Sequence, residues 1–97
     1  MDLMEIKHEF DGKKGAFYWD DSGKRLGETT CTMVGTGKLI IDHTEADDSL
    51  RGTGKAAELV EAVVAHARAN ELKIMPLCPF ARLIFEKKGA EWADVHF

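Results

Sequence analysis

The sequence predicts an α+β fold built on one mixed sheet. Three observations lead there. Residues 4–43 read as strands that break at glycine turns, with no helical pattern. Residues 56–67 then carry apolar side chains at three- and four-residue spacing, the period of a helix that buries one face. A second short apolar run, residues 72–77, follows that helix and leads into Cys78-Pro79. Strands first, then strand, long helix, strand and short helix, give antiparallel strands continued by a parallel pair. At 97 residues the chain has room for a single domain, 1–97, with one modest core.

Taken in order, residues 4–10 alternate, with Met4, Ile6, His8 and Phe10 on one face. Residues 11–15 form a turn, and Ala16-Phe17-Tyr18-Trp19 a second strand whose aromatic rings belong to core and rim. After Asp20-Asp21-Ser22-Gly23 comes a third strand, residues 25–34, long and rich in threonine, with Cys31 as a structural residue in its middle. Gly35-Thr36-Gly37 leads to Leu39-Ile40-Ile41, a continuous apolar run that suits a strand covered on both faces. Residues 42–50 read as a charged loop. The long helix carries Ala56, Leu59, Val60, Val63, Val64 and Ala67 as its apolar stripe and stops at Asn70. Pro79 suits the first position of the short helix that Phe80, Leu83 and Ile84 continue. Residues 92–97 read as a closing strand, antiparallel to the strand of Met75, packing Trp92 or Phe97 under the long helix.

Composition excludes several function classes. A net charge of −4 gives no electrostatic argument for nucleic acid or an anionic membrane. No apolar run is long enough to span a bilayer, and Met1-Asp2-Leu3-Met4-Glu5 has neither the basic nor the apolar region of a secretory leader. A cytoplasmic protein is expected, with Cys31 and Cys78 reduced, since they lack the CxxC spacing of a redox or metal motif.

The chemistry concentrates at two junctions. Arg51-Gly52-Thr53-Gly54-Lys55-Ala56 sits at the turn into the long helix. A helix start carries partial positive charge and unpaired N–H groups, and usually recruits carboxylates. This one has Arg51 and Lys55 and no acid from 51 to 57. Either the cations are simply solvated, or an anion binds there and the two glycines let it approach the backbone. A magnesium-dependent P-loop is a poor match, because Ser49 stands at its first glycine and Ala56 at its metal-binding hydroxyl. The dinucleotide pattern matches Gly52, Gly54 and Ala57, but the turn does not directly follow its strand, and too little chain remains for a doubly wound sheet. At the second junction, Cys78 precedes Pro79 at a helix start, where a thiolate is favoured; the competing reading is a small buried hydrophobe. His43 reads as a general base or as a hydrogen-bonded strand-end histidine. A metal site is rejected, because no second ligand lies at ligand spacing.

One further pattern fits: Arg51, then Gly54 three residues on, then Ala56. It resembles the coenzyme A pyrophosphate loop of the GNAT superfamily of N-acetyltransferases. Ile41-Asp42-His43-Thr44 before it and Cys78-Pro79-Phe80 after the next strand resemble the minimal, single-domain branch of that superfamily. The resemblance implies a V-shaped splay between the two central parallel strands, and Pro76, which breaks a ladder hydrogen bond, fits if Met75 to Leu77 has parted from the strand that ends near His43. It also implies acetyl-coenzyme A as co-substrate, held by Thr44, Arg51, Gly52, Thr53, Gly54, Lys55, Ala56, Pro79 and Phe80. The implied activity is acetyl transfer to an amine or protein acceptor, by direct attack with His43 or a carboxylate of the 42–50 loop removing a proton through water, or through Cys78. The alternative is a non-catalytic acyl-coenzyme A binding module with an open face for a protein partner. The chain departs from larger members in having only the turn 11–15 where they carry helices over the acceptor. Its one tyrosine, Tyr18, is far in sequence from the place of their proton donor.

Overall fold

A computed structural model describes residues 4–97. Met1-Asp2-Leu3, which carry part of the leader argument, lie outside the described residues. Five strands follow in chain order: β1 (Met4–Phe10), β2 (Lys14–Asp21), β3 (Lys24–Val34), β4 (Lys38–Ala46) and, after helix α1 (Lys55–Ala69), β5 (Lys73–Pro76). Helix α2 (Pro79–Lys88) follows. The sheet order is β1-β2-β3-β4-β5, antiparallel through β4 and parallel between β4 and β5, as the sequence predicts. Among the described residues no helix is long and apolar enough to cross a membrane.

The core lies between the sheet and α1. Leu39, Ile41 and Ile74 of the central strands and Leu59, Val60, Val63 and Ala67 of the helix are fully buried. The stripe read from the sequence is therefore the face that packs. At the first hairpin the Asp11 carboxylate accepts the Lys13 and Lys14 N–H groups at 3.1 and 2.8 Å. Phe10 lies flat over Gly15, where a β-carbon would come within 2.3 Å of the ring.

Three expectations change. β4 does not give way to a loop at Asp42: it stays paired with β3 as far as Ala46 opposite Gly27. The pairing survives because the register shifts opposite Thr30 and Cys31, so Asp42 is an extra, bulged residue. Its polar sequence reflects a strand end flanked on one side only. A short 3-10 turn, Asp48–Leu50, completes the link.

The closing strand is the second correction. The segment after α2 forms a 3-10 turn, Gly89–Trp92, and makes a single bridge, Ile74 to His96, which is parallel. The turn consumes the length a strand would need. Trp92 is nevertheless buried, its ring 4.8 Å from that of Phe85, while Phe97 stays exposed.

The third concerns where the central strands part. Met75 is still paired with Ile40, and Pro76 with Ile41. The Leu77 and Cys78 N–H groups then both turn to the Ile41 carbonyl, at 3.1 and 3.2 Å. The pairing of β4 with β5 ends there, and among the described residues Asp42 to Ala46 have β3 as their only sheet neighbour.

Candidate functional site

The gap that opens beyond Ile41 and Pro76 is bounded by β4 on one side and by the start of α2 on the other. The turn before α1 closes its far end. Gly52 and Gly54 have left-handed φ values of 76° and 82°, and Gly54 is the N-cap of α1. A β-carbon on either would meet nothing within 4 Å, so both border open space and not packed chain. Thr53 supplies the cap that glycine lacks: its hydroxyl donates to the Leu50 carbonyl and accepts the Lys55 N–H. Among the described residues, the Ala56 and Ala57 N–H groups have no acceptor in the chain. Both residues line a cleft of about 350 Å3 that also touches Arg51, Gly52, Gly54 and, from α2, Phe80 and Ile84.

The two cations at this helix start are not bare. Arg51 pairs with Asp48 at 3.0 Å, with both side chains exposed. The Lys55 ammonium stands 4.6 Å from the centroid of the Trp19 ring. The argument for an anion here therefore rests on the free N–H groups and the two open glycines, with Arg51 as exposed positive charge at the rim.

Cys78 is the N-cap of α2, with Pro79 opening the helix, and is 4% exposed. Burial pushes its thiol up and is the largest single influence. The Ala81 N–H, the Thr44 hydroxyl, the Phe80 N–H and the Thr44 N–H together outweigh it and hold the thiol below its ordinary value. These groups converge on the sulfur as dipoles; none closes a side-chain cap hydrogen bond. Thr44 is itself held: its hydroxyl lies 3.1 Å from that of Thr29, which is fully buried. Cys31 is the contrast. Burial, then the charge of Asp42, pushes its thiol up to about 12.

His43 faces the other way. The bulge at Asp42 puts Thr44 on the core face beside Thr29, so His43, opposite Thr30, lies on the outer face of the sheet. Its Nε2 is 3.6 Å from the Glu45 carboxylate, and both side chains are well exposed. Asp42 shares that face, accepting from Thr32 at 2.6 Å. Among the described residues no helix covers it, and only a short turn joins β1 to β2.

Of the residues singled out from the sequence, Arg51, Gly52, Gly54, Ala56 and Phe80 meet around one cleft. Thr44 and Cys78 meet where Pro79 opens α2, outside the residues that line the cleft. Thr53 and Lys55 buttress the turn from outside the cleft lining, and His43 is separated from Cys78 by the sheet. Sequence reasoning missed Ile84 and Leu50 as cleft walls, Trp19 as a partner of the α1 start, and Thr29. Leu50 was within reach as the one large apolar residue in a charged stretch; Thr29 carries no signal in a strand already rich in threonine.

Comparison with known proteins agrees with this geometry. A family model described as GCN5-related N-acetyl-transferase matches residues 16–95. The chain is similar to the solution structure of a GCN5-like putative N-acetyltransferase from Staphylococcus aureus: 38% identity over 100% of this chain and 91% of that one, TM-score 0.72. Its fold also matches a ribosomal-protein-alanine N-acetyltransferase from Brucella melitensis biovar Abortus 2308, at 20% identity over 82% of this chain and 64% of that one, TM-score 0.69. A third match is a GNAT family acetyltransferase from Elizabethkingia anophelis with acetyl-CoA bound, at 10% identity over 91% of this chain and 75% of that one, TM-score 0.67. No curated protein matches the chain.

Proposed function

Because the chain belongs to the GCN5-related N-acetyltransferase family, we propose that it transfers the acetyl group of acetyl-coenzyme A, the co-substrate of this family, to an amine acceptor. The observation that carries the reading is the cleft that joins the two glycines and free N–H groups of the α1 start to Phe80 and the parting strands. The residues present fit the co-substrate. The free N–H groups of Ala56 and Ala57 receive a pyrophosphate, the open space at Gly52 and Gly54 admits it, and Arg51 adds charge at the rim. Lys55 holds the turn from behind. Thr44 and the unpaired edge of β4 face the amides of a pantetheine arm, as an added strand would. Pro79 opens α2 beside Cys78, and Phe80 and Ile84 exclude water. Bound acetyl-coenzyme A supplies an activated acyl carbon.

On this reading His43, on the open outer face, removes the proton from the attacking amine, with Glu45 beside it. A second route is favoured by one observation: the converging N–H and hydroxyl groups at Cys78 lower its thiol. In that route the Cys78 thiolate attacks the thioester carbon, coenzyme A leaves as its thiolate, and the amine then displaces Cys78.

The test is calorimetric titration with coenzyme A and acetyl-coenzyme A, followed by release of free thiol over a panel of amines. Binding should weaken as salt rises, since part of it is charge on phosphate. Gly54→Asn should abolish it: asparagine tolerates a left-handed φ, so the fold survives while the side chain fills the phosphate space. Well-folded protein that binds neither ligand would refute the reading, and tight binding without turnover on any amine would make the chain a binding module.

A further inference from the structure

Trp19 lies in β2, outside every motif that led to the site, yet it touches the turn on which the site depends. It is buried, 8% exposed. Its indole N–H donates to the Lys55 backbone carbonyl at 2.8 Å. The Lys55 ammonium stands over the same ring, 4.6 Å from its centroid. Lys55 is the first residue of α1. A carbonyl in a first helical turn already serves the helix as an acceptor; it is the N–H groups of that turn that lack partners. The helix therefore gains nothing essential from an extra donor. What the indole adds is location, a fixed height and rotation of the α1 start relative to the sheet. A phenylalanine of similar bulk would fill the same space without that bond. The ring and the bond grip one residue from two sides, by its side chain and by its backbone. The next two residues, Ala56 and Ala57, carry the free N–H groups that border the cleft.

We propose that Trp19 is a positioning residue for coenzyme A: by clamping Lys55 it sets the first turn of α1 where its N–H groups meet the pyrophosphate. The inference rests on the coenzyme loop proposed above. Hydrogen bonds to an anion weaken steeply once distance or angle departs from the narrow preferred range. A turn free to shift by a few tenths of an ångström would lose affinity for the phosphates and keep its affinity for the rest of the ligand.

The test compares coenzyme A with pantetheine, which lacks the pyrophosphate, both followed by NMR titration to saturation. Trp19→Phe should weaken coenzyme A about 3- to 10-fold, the worth of one hydrogen bond, and leave pantetheine within about twofold. Trp19→Tyr, which keeps an aromatic face but no indole N–H, should behave like Trp19→Phe. In the wild type, hydrogen exchange at the Trp19 indole N–H should slow on adding coenzyme A and not on adding pantetheine, a readout that needs no variant. Unchanged coenzyme A affinity in folded Trp19→Phe, equal weakening of both ligands, or an indole indifferent to coenzyme A would each overturn the role of Trp19 while leaving the coenzyme loop standing. Folded wild-type protein that binds no coenzyme A would remove the loop itself and this inference with it.

Discussion

At the scale of single residues, the two cysteines separate by environment, not by sequence. Both are buried, yet Cys31 sits mid-strand among apolar neighbours and near the charge of Asp42. Cys78 sits where a helix begins and a strand edge has lost its neighbour. A lowered thiol is thiolate at a lower pH, and the thiolate is what reacts. Iodoacetamide should therefore label Cys78 ahead of Cys31, with a pH midpoint below the roughly 8.5 of a free cysteine. Thr44→Val keeps the shape and the N–H but removes one donor, so the midpoint should move up in the labelling profile, and Thr44→Ser should restore it. Identical profiles for wild type and Thr44→Val would show that the hydroxyl does not act on the sulfur.

At the scale of elements, β1 is an edge strand, and it docks on α1 through rings. His8 and His66 lie 5.5 Å apart between centroids, with Phe10 stacked on His66 at 5.4 Å and Phe17 edge-on at 5.4 Å. Burial, then the charge on His8, lowers the pKa of His66. The other polar group on it is the Asn70 amide of its own helix. A histidine whose folded pKa lies below its unfolded value binds fewer protons when folded, so stability rises with pH across that interval. The contribution is complete above about 6.5, the ordinary histidine value, and is lost as pH falls below it. The thermal midpoint should drop between neutral and mildly acidic pH, and His66→Phe, which keeps the ring stack, should flatten that part of the profile. A profile of the same slope in the variant would place the acid sensitivity elsewhere.

For the whole molecule, the parallel end of the sheet is closed by packing more than by a ladder. The segment after α2 reaches β5 through two backbone hydrogen bonds at Ile74 and through Trp92, buried against Phe85. The Arg68 guanidinium holds Asp94 at 2.9 and 3.1 Å and the Glu91 carbonyl at 2.8 Å, as a strap from α1. That ion pair is half exposed, so its worth is small beside the buried ring. Trp92→Ala should cost about 3–5 kcal/mol in urea unfolding. That is a large share of the roughly 5–15 kcal/mol that holds a domain folded. Arg68→Ala should cost no more than about 1 kcal/mol. If the two variants lose equal stability, the strap and not the ring closes the fold.

The order of elements, the apolar stripe of α1 and the glycine turn before it were legible because each depends on local rules: side-chain period, backbone freedom and helix-end chemistry. The same rules singled out Arg51, Gly52, Gly54 and Ala56, which line the cleft, and the start of α2 at Pro79. Other features depend on what lies across the fold. Asp42 reads as the start of a loop until β3 is seen to hold β4 through the bulge, and that bulge then turns Thr44 toward Cys78 and His43 away from it. Residues 92–97 read as a closing strand, while the length spent in a 3-10 turn decides otherwise. Nothing local to Lys55 announces Trp19, 36 positions earlier in the chain, as its partner. Burial, partners at long sequence separation and the local field on a thiol are set only when distant segments meet, so they belong to the tertiary structure.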